Sequence, residues 1–247
     1  MTTFNPFTLE GKTILVTGAS SGIGRGIAIA CSKMGATLVL NGRNEMRLTE
    51  TLNLLEGEGH AALMADLSVP SSVSGLVGAC PKLDGIVHCA GVGQRVLCKQ
   101  LDEALVDDVM NANFKCSVLL QTELLKAKKV NKGASIVFVA SMASDSPSVG
   151  NAIYSASKGA IISYARCLML ELAPRQIRVN CISPAMVWTD LIAKGGLTTD
   201  ELKEDEMKYP LKRYGTPEDV AYLAVYMLSD AAAWMTGSNV KITGGAN

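Results

Sequence analysis

Residues 12–24 read KTILVTGASSGIG, and this stretch decides the fold. Lys12 to Thr17 is an apolar run rich in β-branched residues, which predicts a short buried strand. Three glycines follow within seven residues, and the segment from Arg25 to Met34 has the spacing of a helix. This order lets the backbone approach a pyrophosphate closely, at a helix N-terminus whose free N–H groups favour an anion. A tight turn without a ligand is the alternative.

The alternation of strand and helix continues to the end of the chain. Further strand-like runs lie at 37–41, 60–65, 84–90, 134–140, 177–182 and 240–245. Helical segments lie at 45–57, 101–110, 111–129, 152–173 and 217–228. The alternation predicts an α/β fold: a single-domain, Rossmann-type, doubly wound parallel sheet of about seven strands with helices on both faces. The domain is expected to span residues 1–247.

The composition excludes several classes of protein. The 247 residues are 48% hydrophobic, and 23 basic residues balance 23 acidic ones, so no net charge points to nucleic acid or an anionic membrane. Seven cysteines without a Cys-x-x-Cys pair, beside two histidines, indicate neither a zinc site nor a disulfide framework. Met1 to Gly11 is not a secretory signal, and no apolar run approaches the ~20 residues that span a bilayer. We therefore expect a cytoplasmic protein with reduced thiols and no metal.

Tyr154 and Lys158 form the second informative pattern. They are four residues apart in a helical segment, so both side chains lie on one face, about one turn apart. A phenol has an ordinary pKa of ~10, and a nearby ammonium lowers that pKa by stabilising the phenolate. Such a phenol can exchange a proton with an alcohol or carbonyl oxygen. Taken alone, the pair also fits a buried ring beside a solvated lysine.

Ser141 ends the predicted fifth strand, thirteen residues before Tyr154. Active sites of open α/β sheets lie at the carboxyl ends of strands. Serine is also common at strand ends because it forms turns, so its position alone does not decide its role.

The combined motifs resemble those of the short-chain dehydrogenases/reductases. The glycines are spaced Gly-x-x-x-Gly-x-Gly from Gly18 to Gly24, and Ser141, Tyr154 and Lys158 have the family's separation. Six separately spaced motifs agree over nearly the whole chain. The resemblance implies direct hydride transfer at a nicotinamide, with no part for a metal.

The resemblance assigns a role to each of four catalytic residues. Ser141 would bind the substrate oxygen as a donor of the oxyanion-hole type, and Tyr154 would donate the proton in the reductive direction. Lys158 would lower the tyrosine pKa and hold the nicotinamide ribose. Asn113, at a kink in its long helix, would hold through its main-chain carbonyl a water that joins Lys158 to a proton relay. Asn111 is a rival, but the spacing to Ser141 favours Asn113.

By the same resemblance, several short segments would hold the cofactor. Asp66 would contact the adenine amino group, and Ala90 and Gly91 would pack under the ribose. The main chain of Val187 and the hydroxyl of Thr189 would bind the nicotinamide carboxamide. The expected set is Gly18, Ser20, Ser21, Gly22, Ile23, Gly24, Arg43, Asp66, Leu67, Ala90, Gly91, Tyr154, Lys158, Pro184, Val187 and Thr189.

Arg43 bears on the choice between NADP(H) and NAD(H). In dinucleotide-binding folds an acid near the end of the second strand binds the ribose 2′-OH of NAD, whereas an Arg accommodates the 2′-phosphate of NADP. The chain has no acid there and carries Arg43, which favours NADP(H). NAD(H) stays the alternative, because an Arg can also stack on adenine and Ser21 stands where many NADP-dependent members carry a basic residue.

The chain departs from the family at residues 88–91. The family usually shows Asn-Asn-Ala-Gly, and here the residues are His88, Cys89, Ala90 and Gly91. A thiol cannot donate and accept hydrogen bonds as an amide does, so we expect Cys89 to affect local stability more than chemistry. For His88 a satisfied core histidine is favoured over a catalytic one.

The whole motif pattern looks like the bacterial 3-oxoacyl-(acyl-carrier-protein) reductases. Lys132 and Arg175 match positions where those enzymes carry basic residues that meet the acidic carrier protein, and both also fit solvated surface charges. An acyl-carrier-protein thioester is therefore one candidate substrate. Relatives with the same skeleton act on sugars, steroids or small ketones, and some bind NADP(H) as regulators without turnover.

Three further expectations concern the surroundings of the site. Residues 142–152 would form one wall of the substrate pocket, and the polar stretch 190–211 a lid that closes over it. The helices at 111–129 and 152–173 would each present an apolar stripe to a second copy, which the resemblance extends to a homotetramer.

Overall fold

The computed structural model describes residues 4–146, 148–193 and 198–246, with Leu191 and Ala193 described by their backbone alone. Within these residues seven strands form one parallel sheet. They are β1 (Thr13–Thr17), β2 (Thr37–Gly42), β3 (Ala61–Met64), β4 (Leu83–His88), β5 (Val130–Val139), β6 (Arg178–Pro184) and β7 (Asn239–Ile242). Their order in the sheet is β3-β2-β1-β4-β5-β6-β7. The strand order reverses between β1 and β4, where doubly wound sheets open a crevice at their carboxyl edge.

Helices cover both faces of this sheet. The α-helices of the described residues are α1 (Gly22–Lys33), α2 (Glu45–Leu52), α3 (Pro70–Ala79), α4 (Glu103–Met110), α5 (Cys116–Lys126), α6 (Ala152–Leu172), α7 (Asp190–Ala193), α8 (Thr199–Glu206) and α9 (Pro217–Leu228). Side chains of α1, α2 and α9 share one apolar core, and those of α3, α5 and α6 share the other. The predicted parallel α/β fold is confirmed.

The alternation of side chains along each strand explains the two cores. Ile14 and Val16 of β1 lie in the core under α1 and α9, whereas Leu15 between them lies in the core under α5 and α6. All three are fully buried. A strand buried on both faces needs an uninterrupted apolar run, because each such side chain contributes roughly 1.5–3 kcal/mol only when it leaves water.

Some boundaries differ from those that the sequence predicted. Helix α3 was not predicted, because its sequence PSSVSGLVGA holds small and polar residues and only three buried side chains. Helix α2 ends at Leu52 rather than Gly57, and β5 begins at Val130, four residues before the predicted Ala134. The extra residues of β5 include Gly133, which has a φ of 78°. Glycine is uncommon in strands, so the sequence did not indicate a strand there.

The predicted long helix 111–129 also differs. Residues Asn111–Lys115 form a π-helical turn between α4 and α5, and α5 ends at Lys126. A π turn widens the helix locally and is common at functional sites. This π turn lies at the position where the resemblance implies a kink in the helix.

The segment 190–211 contains two short helices, α7 and α8. Thr198 and Glu201 form a reciprocal capping box that begins α8. Residues 194–197 of the predicted lid, and Pro147 of the predicted pocket wall, lie outside the described residues. Lid behaviour stays a prediction.

Candidate active site

The predicted site residues lie along the carboxyl edge of the sheet and fall into two groups. We call Asn113, Ser141, Tyr154 and Lys158 the Tyr154 end, and Arg43 with Asp66 the Arg43 end. The glycine-rich turn after β1 lies between the elements that carry them, because β1 lies between β2 and β4 in the strand order. The site is built from the Tyr154 end outward.

Tyr154 and Lys158 stand on the first turns of α6, on the same helix face. The Lys158 ammonium lies 5.9 Å from the centroid of the Tyr154 ring. The lysine is 6% exposed, and its Nζ donates a hydrogen bond of 2.9 Å to the carbonyl of Val139 at the end of β5. A buried ammonium fixed beside a phenol stabilises negative charge on the phenol oxygen more than a solvated one would.

Ser141 follows the last residues of β5 and begins a 3₁₀ turn, Met142–Ser144. Its Oγ accepts a hydrogen bond of 3.1 Å from the N–H of Ala143. Because the hydroxyl is the acceptor in this contact, its own proton can be donated to a substrate oxygen. Strand β5 thus positions both the serine and, through Val139, the lysine.

Asn113 lies in the π turn and is 1% exposed, and both polar atoms of its side chain form hydrogen bonds. Its Oδ1 accepts from the N–H of Val92 at 2.7 Å, and its Nδ2 donates to the carbonyl of Val92 at 3.0 Å. Nδ2 also donates to the Oγ of Ser157 at 3.0 Å, and Ser157 in turn donates to the carbonyl of Tyr154 at 2.7 Å. These bonds join the loop after β4, the π turn and α6.

Gly91 is the point where these groups converge. A Cβ built on Gly91 would lie 2.9 Å from the Oδ1 of Asn113 and 3.5 Å from the Nζ of Lys158. Real Cβ atoms essentially never approach a neighbour to less than 3.0 Å, so any side chain here would displace the asparagine. Glycine at this position therefore lets the loop after β4 approach Asn113 and Lys158 closely.

The glycine-rich turn fits the backbone of a phosphate-bearing ligand. A Cβ on Gly24 would lie 2.3 Å from the carbonyl oxygen of Gly18, so only glycine allows the turn to fold this tightly. Ser21 precedes α1 in an extended conformation and makes no side-chain cap, and the first turn of α1 has no acidic residue. The N–H groups at this helix end are thus left for an anion.

Thr17, the last residue of β1, connects the glycine-rich turn to the loop after β4. Its buried Oγ1 accepts from the N–H of Cys89 at 3.1 Å and from the N–H of Ala90 at 3.2 Å. These bonds hold the loop after β4 beside the turn after β1, so that Ala90 and Gly91 lie next to the glycines.

The Arg43 end is exposed by comparison. Arg43 follows β2 and makes no hydrogen bond or ion pair within the described part of the chain, whereas Asp66 accepts from the N–H and the hydroxyl of Ser68. The hydrogen bonds from Ser68, with a smaller contribution from the positive charge of Arg43, hold the pKa of Asp66 below its ordinary value. Asp66 is therefore a carboxylate at neutral pH, with the arginine close enough to sense its charge. Leu67 beside it is buried.

The segment after β6 lies against the glycine-rich turn from the other side. Pro184 ends β6, and Val187 forms an isolated bridge with Gly215. This bridge uses the Met186 carbonyl and the Trp188 N–H, and no described residue accepts a hydrogen bond from the N–H of Val187. Binding of the nicotinamide carboxamide by the main chain of Val187 stays a prediction.

His88 is a core histidine. It is 2% exposed, stacks on Phe138 with ring centroids 4.6 Å apart, and its Nε2 pairs with the Oε1 of Gln121 at 2.9 Å. Burial lowers the pKa of His88 to about 4, against the smaller opposing effect of the Gln121 bond, so it is neutral at pH 7. The histidine and Gln121 tie β4 to α5. Burial also raises the pKa of the neighbouring Cys89 to about 11, so its thiol stays protonated.

Lys132 and Arg175 lie away from this edge. Lys132 is in the first residues of β5 and Ser141 follows the last, so the length of the strand, roughly 30 Å, separates them within the chain. The guanidinium of Arg175 donates to the carbonyl of Val130. A contact of either residue with a carrier protein stays a prediction.

The structure also shows supporting residues that the sequence did not single out. Ser157, Val139 and Thr17 hold Asn113, Lys158 and the loop after β4, respectively. Ser157 lies inside the Tyr-Ser-Ala-Ser-Lys motif, one turn after the tyrosine, and that spacing is the one signal available before folding.

No helix of the described residues is long and apolar enough to cross a bilayer. No group of three or more His, Cys, Asp or Glu residues in this part of the chain could hold a metal ion.

Comparison with known proteins agrees with this geometry. A family model described as "Enoyl-(Acyl carrier protein) reductase" matches residues 18–247. The chain is 34% identical over 242 residues to a 3-oxoacyl-(acyl-carrier-protein) reductase FabG of Rickettsia felis, covering 96% of this chain and 97% of that protein.

Two solved structures are similar over 98% of both chains at 31% identity. One is a short-chain dehydrogenase/reductase called glucose/ribitol dehydrogenase, from Brucella melitensis, with a TM-score of 0.90. The other is a putative NAD(P)-dependent gluconate 5-dehydrogenase from Beutenbergia cavernae with bound NADP, with a TM-score of 0.87. With the glycine-rich turn, the serine, the tyrosine and the lysine in place along one sheet edge, the chain belongs to the short-chain dehydrogenase/reductase family.

Proposed function

We propose that this oxidoreductase transfers a hydride between NADP(H) and a carbonyl or secondary alcohol, and that its substrate is a 3-oxoacyl thioester. The convergence of Ser141, Tyr154 and buried Lys158 on one sheet edge, beside a glycine-rich turn, is the observation that carries the proposal. The Lys158 ammonium lies 5.9 Å from the centroid of the Tyr154 ring, and the end of β5 carries both Ser141 and the carbonyl that holds Lys158. A carbonyl oxygen bound there could accept hydrogen bonds from the hydroxyls of Ser141 and Tyr154.

The residues present fit a dinucleotide. The turn from Gly18 to Gly24 and the open end of α1 would hold its pyrophosphate, and the space beside Gly91 its nicotinamide ribose, within reach of Lys158. The N–H of Val187 would bind the carboxamide. When bound, the nicotinamide supplies or accepts the hydride.

The chain's own residues bind the substrate oxygen and transfer its proton. Ser141 donates a hydrogen bond to the oxygen and so stabilises the negative charge that develops there. Tyr154 gives the proton in the reductive direction and removes it in the other. Lys158, held by Val139, lies beside the phenol. Asn113 holds the π turn against α6, and its main-chain carbonyl would carry the water that leads to Lys158.

Arg43 supports the preference for NADP(H). It stands after β2 without a hydrogen-bonding partner in the described residues, and its charge lies near Asp66, the predicted adenine contact. A 2′-phosphate at this position would form a charge-assisted pair with the guanidinium. The similar Beutenbergia structure, which holds NADP at low occupancy, adds support from similarity.

Sugars and sugar acids form the second class of candidate substrate. The relatives called glucose/ribitol and gluconate 5-dehydrogenases share this fold at 31% identity, while the FabG of Rickettsia felis shares 34%. These values do not separate the two classes.

Purified protein with NADPH and a series of 3-oxoacyl thioesters tests the proposal. Oxidation of NADPH with acetoacetyl or longer thioesters, and none with ketogluconates or ketoses, is the expected result. Turnover of the sugars alone would replace the thioester by the second class. Binding of neither NADPH nor NADH would overturn the proposal altogether.

We also expect assembly into a homotetramer in the cytoplasm. Leu119 of α5 and Leu170 of α6 are 44% and 69% exposed, which supports contacts through these helices, and all seven cysteines are free thiols. Size-exclusion chromatography with light scattering measures the mass; a monomer would contradict the expectation.

A further inference from the structure

One ion pair joins helix α2 to helix α7 near the glycine-rich turn. The guanidinium of Arg47, in the first turn of α2, pairs with the carboxylate of Asp190, the first residue of α7. The two residues are 143 positions apart in the chain. Helix α2 follows directly on Arg43, and α7 begins the segment predicted to act as a lid. The pair therefore links the Arg43 end to that segment.

The Arg47 side of this link is firmly held. Arg25 donates to the carbonyl of Ser20 in the glycine-rich turn at 2.7 Å and to the carbonyl of Arg47 at 3.1 Å. It also donates to the hydroxyl of Thr51, which bonds back to the carbonyl of Ala19 at 2.9 Å. Helix α2 is thus fastened to the turn by several hydrogen bonds, independently of Asp190.

The Asp190 side reaches the same turn by packing. A Cβ built on Gly22 would lie 3.1 Å from the Cγ2 of Thr189, the residue before Asp190. Thr189 rests against the turn and Asp190 continues past it to α2. A dinucleotide whose pyrophosphate lay on the turn would have Thr189 and the ion pair around its middle.

We infer that Arg47 and Asp190 form a clasp that holds the start of the 190–211 segment against α2 and slows the release of the cofactor. The inference rests on the proposed function, because it takes the glycine-rich turn as the pyrophosphate site. Arg47 and Asp190 are positioning residues: they act through the segment that they hold and touch neither the substrate nor the reacting atoms. A clasp over the pyrophosphate acts equally on NADPH and NADH, since the two differ only at the adenosine 2′-position.

The exposure of the pair sets the size of the effect. The side chains of Arg47 and Asp190 are 38% and 59% exposed, and ion pairs of this kind are weak and screened by salt. We expect Asp190→Asn and Arg47→Gln each to raise the dissociation rate constants of both cofactors about two- to fivefold. The effects of the two single variants should not add in the double variant, because the Arg47–Asp190 interaction is lost in all three.

Displacement of bound NADPH or NADH, followed by cofactor fluorescence in a stopped-flow instrument, measures these rates. Lys12→Gln is the matched control, because the Lys12–Asp230 pair is also exposed but lies at the amino-terminal edge of the sheet. The exchanged pair, Arg47→Asp with Asp190→Arg, should restore slow release. Added salt should speed release from the unmodified protein more than from Asp190→Asn, because the variant has already lost this screened pair.

Amide hydrogen exchange in the cofactor-free protein gives an independent readout. The peptide covering 186–193 should exchange faster in Asp190→Asn and remain unchanged in Lys12→Gln. Unchanged exchange together with unchanged release would overturn the clasp, and so would an effect on NADPH alone, which would make Arg47 a phosphate ligand. If the unmodified protein binds neither cofactor, the proposed function fails, while the exchange measurement still decides whether the pair holds the segment.

Discussion

The Tyr154 end and the Arg43 end of the site are held in opposite ways. At the Tyr154 end, Asn113, Ser157 and Lys158 are at most 6% exposed and bonded to one another or to the backbone. At the Arg43 end, Arg43 has no hydrogen bond within the described residues, and the Arg47–Asp190 pair faces solvent. One end depends on buried bonds and the other on exposed charge.

This difference suggests that the two ends have different tasks: the Tyr154 end serves the reaction, and the Arg43 end serves the choice of cofactor. A buried hydrogen-bonded group is costly to leave unpaired, so changes at the Tyr154 end should affect turnover or stability. Exposed charges contribute little to the free energy of folding. Changes at the Arg43 end should therefore leave the protein folded and alter which cofactor binds and how long it stays bound. Of the four predictions below, given in descending order of expected effect, three test this division, and the one on His88 tests the core.

Removing the phenol hydroxyl gives the largest change. Tyr154→Phe should lower turnover about 10²–10⁴-fold, because the proton donor is lost while the ring and Lys158 stay in place. NADPH affinity, measured by fluorescence titration, should change little. Turnover within tenfold of the unmodified protein would contradict the catalytic role of Tyr154. An unaltered cellular effect of the inactive variant would favour a regulator.

The buried His88 makes stability depend on pH. Its pKa is about 4 in the folded protein and about 6.5 when unfolded, so between these values the unfolded state binds more protons. Stability is therefore fully present above pH 6.5 and decreases as the pH falls towards 4, by about 3 kcal/mol from this residue.

Urea unfolding at pH 7 and pH 4 measures this loss. His88→Asn, which introduces the family's usual residue and cannot titrate, should lose about 3 kcal/mol less between the two pH values. Equal losses in the two proteins would show that His88 does not carry the pH dependence.

Ser157→Ala should destabilise the protein by about 1–3 kcal/mol, because it leaves one N–H of buried Asn113 without an acceptor. Turnover should fall as well, since Ser157 links Asn113 to Tyr154. Ser74→Ala is the matched control: Ser74 also donates to a carbonyl one turn earlier, that of Pro70, but it is exposed. Denaturant unfolding should separate the two variants, and equal stabilities would argue against the buried link.

Arg43→Gln should raise the dissociation constant for NADPH about tenfold and leave that for NADH unchanged, because only NADPH carries the 2′-phosphate. Arg47→Gln, four residues away, should change both cofactors alike. Titrations at equal ionic strength give the four constants. A parallel loss of both cofactors in Arg43→Gln would indicate stacking on adenine instead of phosphate binding.

Local spacing explains why much of this protein could be predicted. All seven strands were found from apolar runs, and the Tyr154–Lys158 pair followed from the helical repeat. Helix α3 and the early start of β5 were missed, because small and polar residues at these places carry no clear period. The core position of His88 was foreseen, but its partner Gln121, on another element, was not.

Asn113 and Ser141 were predicted from the family resemblance. The sequence by itself determined the order of strands and helices, the glycine-rich turn and the spacing of Tyr154 and Lys158. These depend on side-chain periodicity and on the backbone freedom of glycine, which act over a few neighbouring residues. The tertiary structure alone decided what holds them: Val92 and Ser157 on Asn113, Val139 on Lys158, and Asp190 on Arg47. Those partners are 19 to 143 residues apart in the chain, and only the packing of helices on both faces of the sheet brings them together.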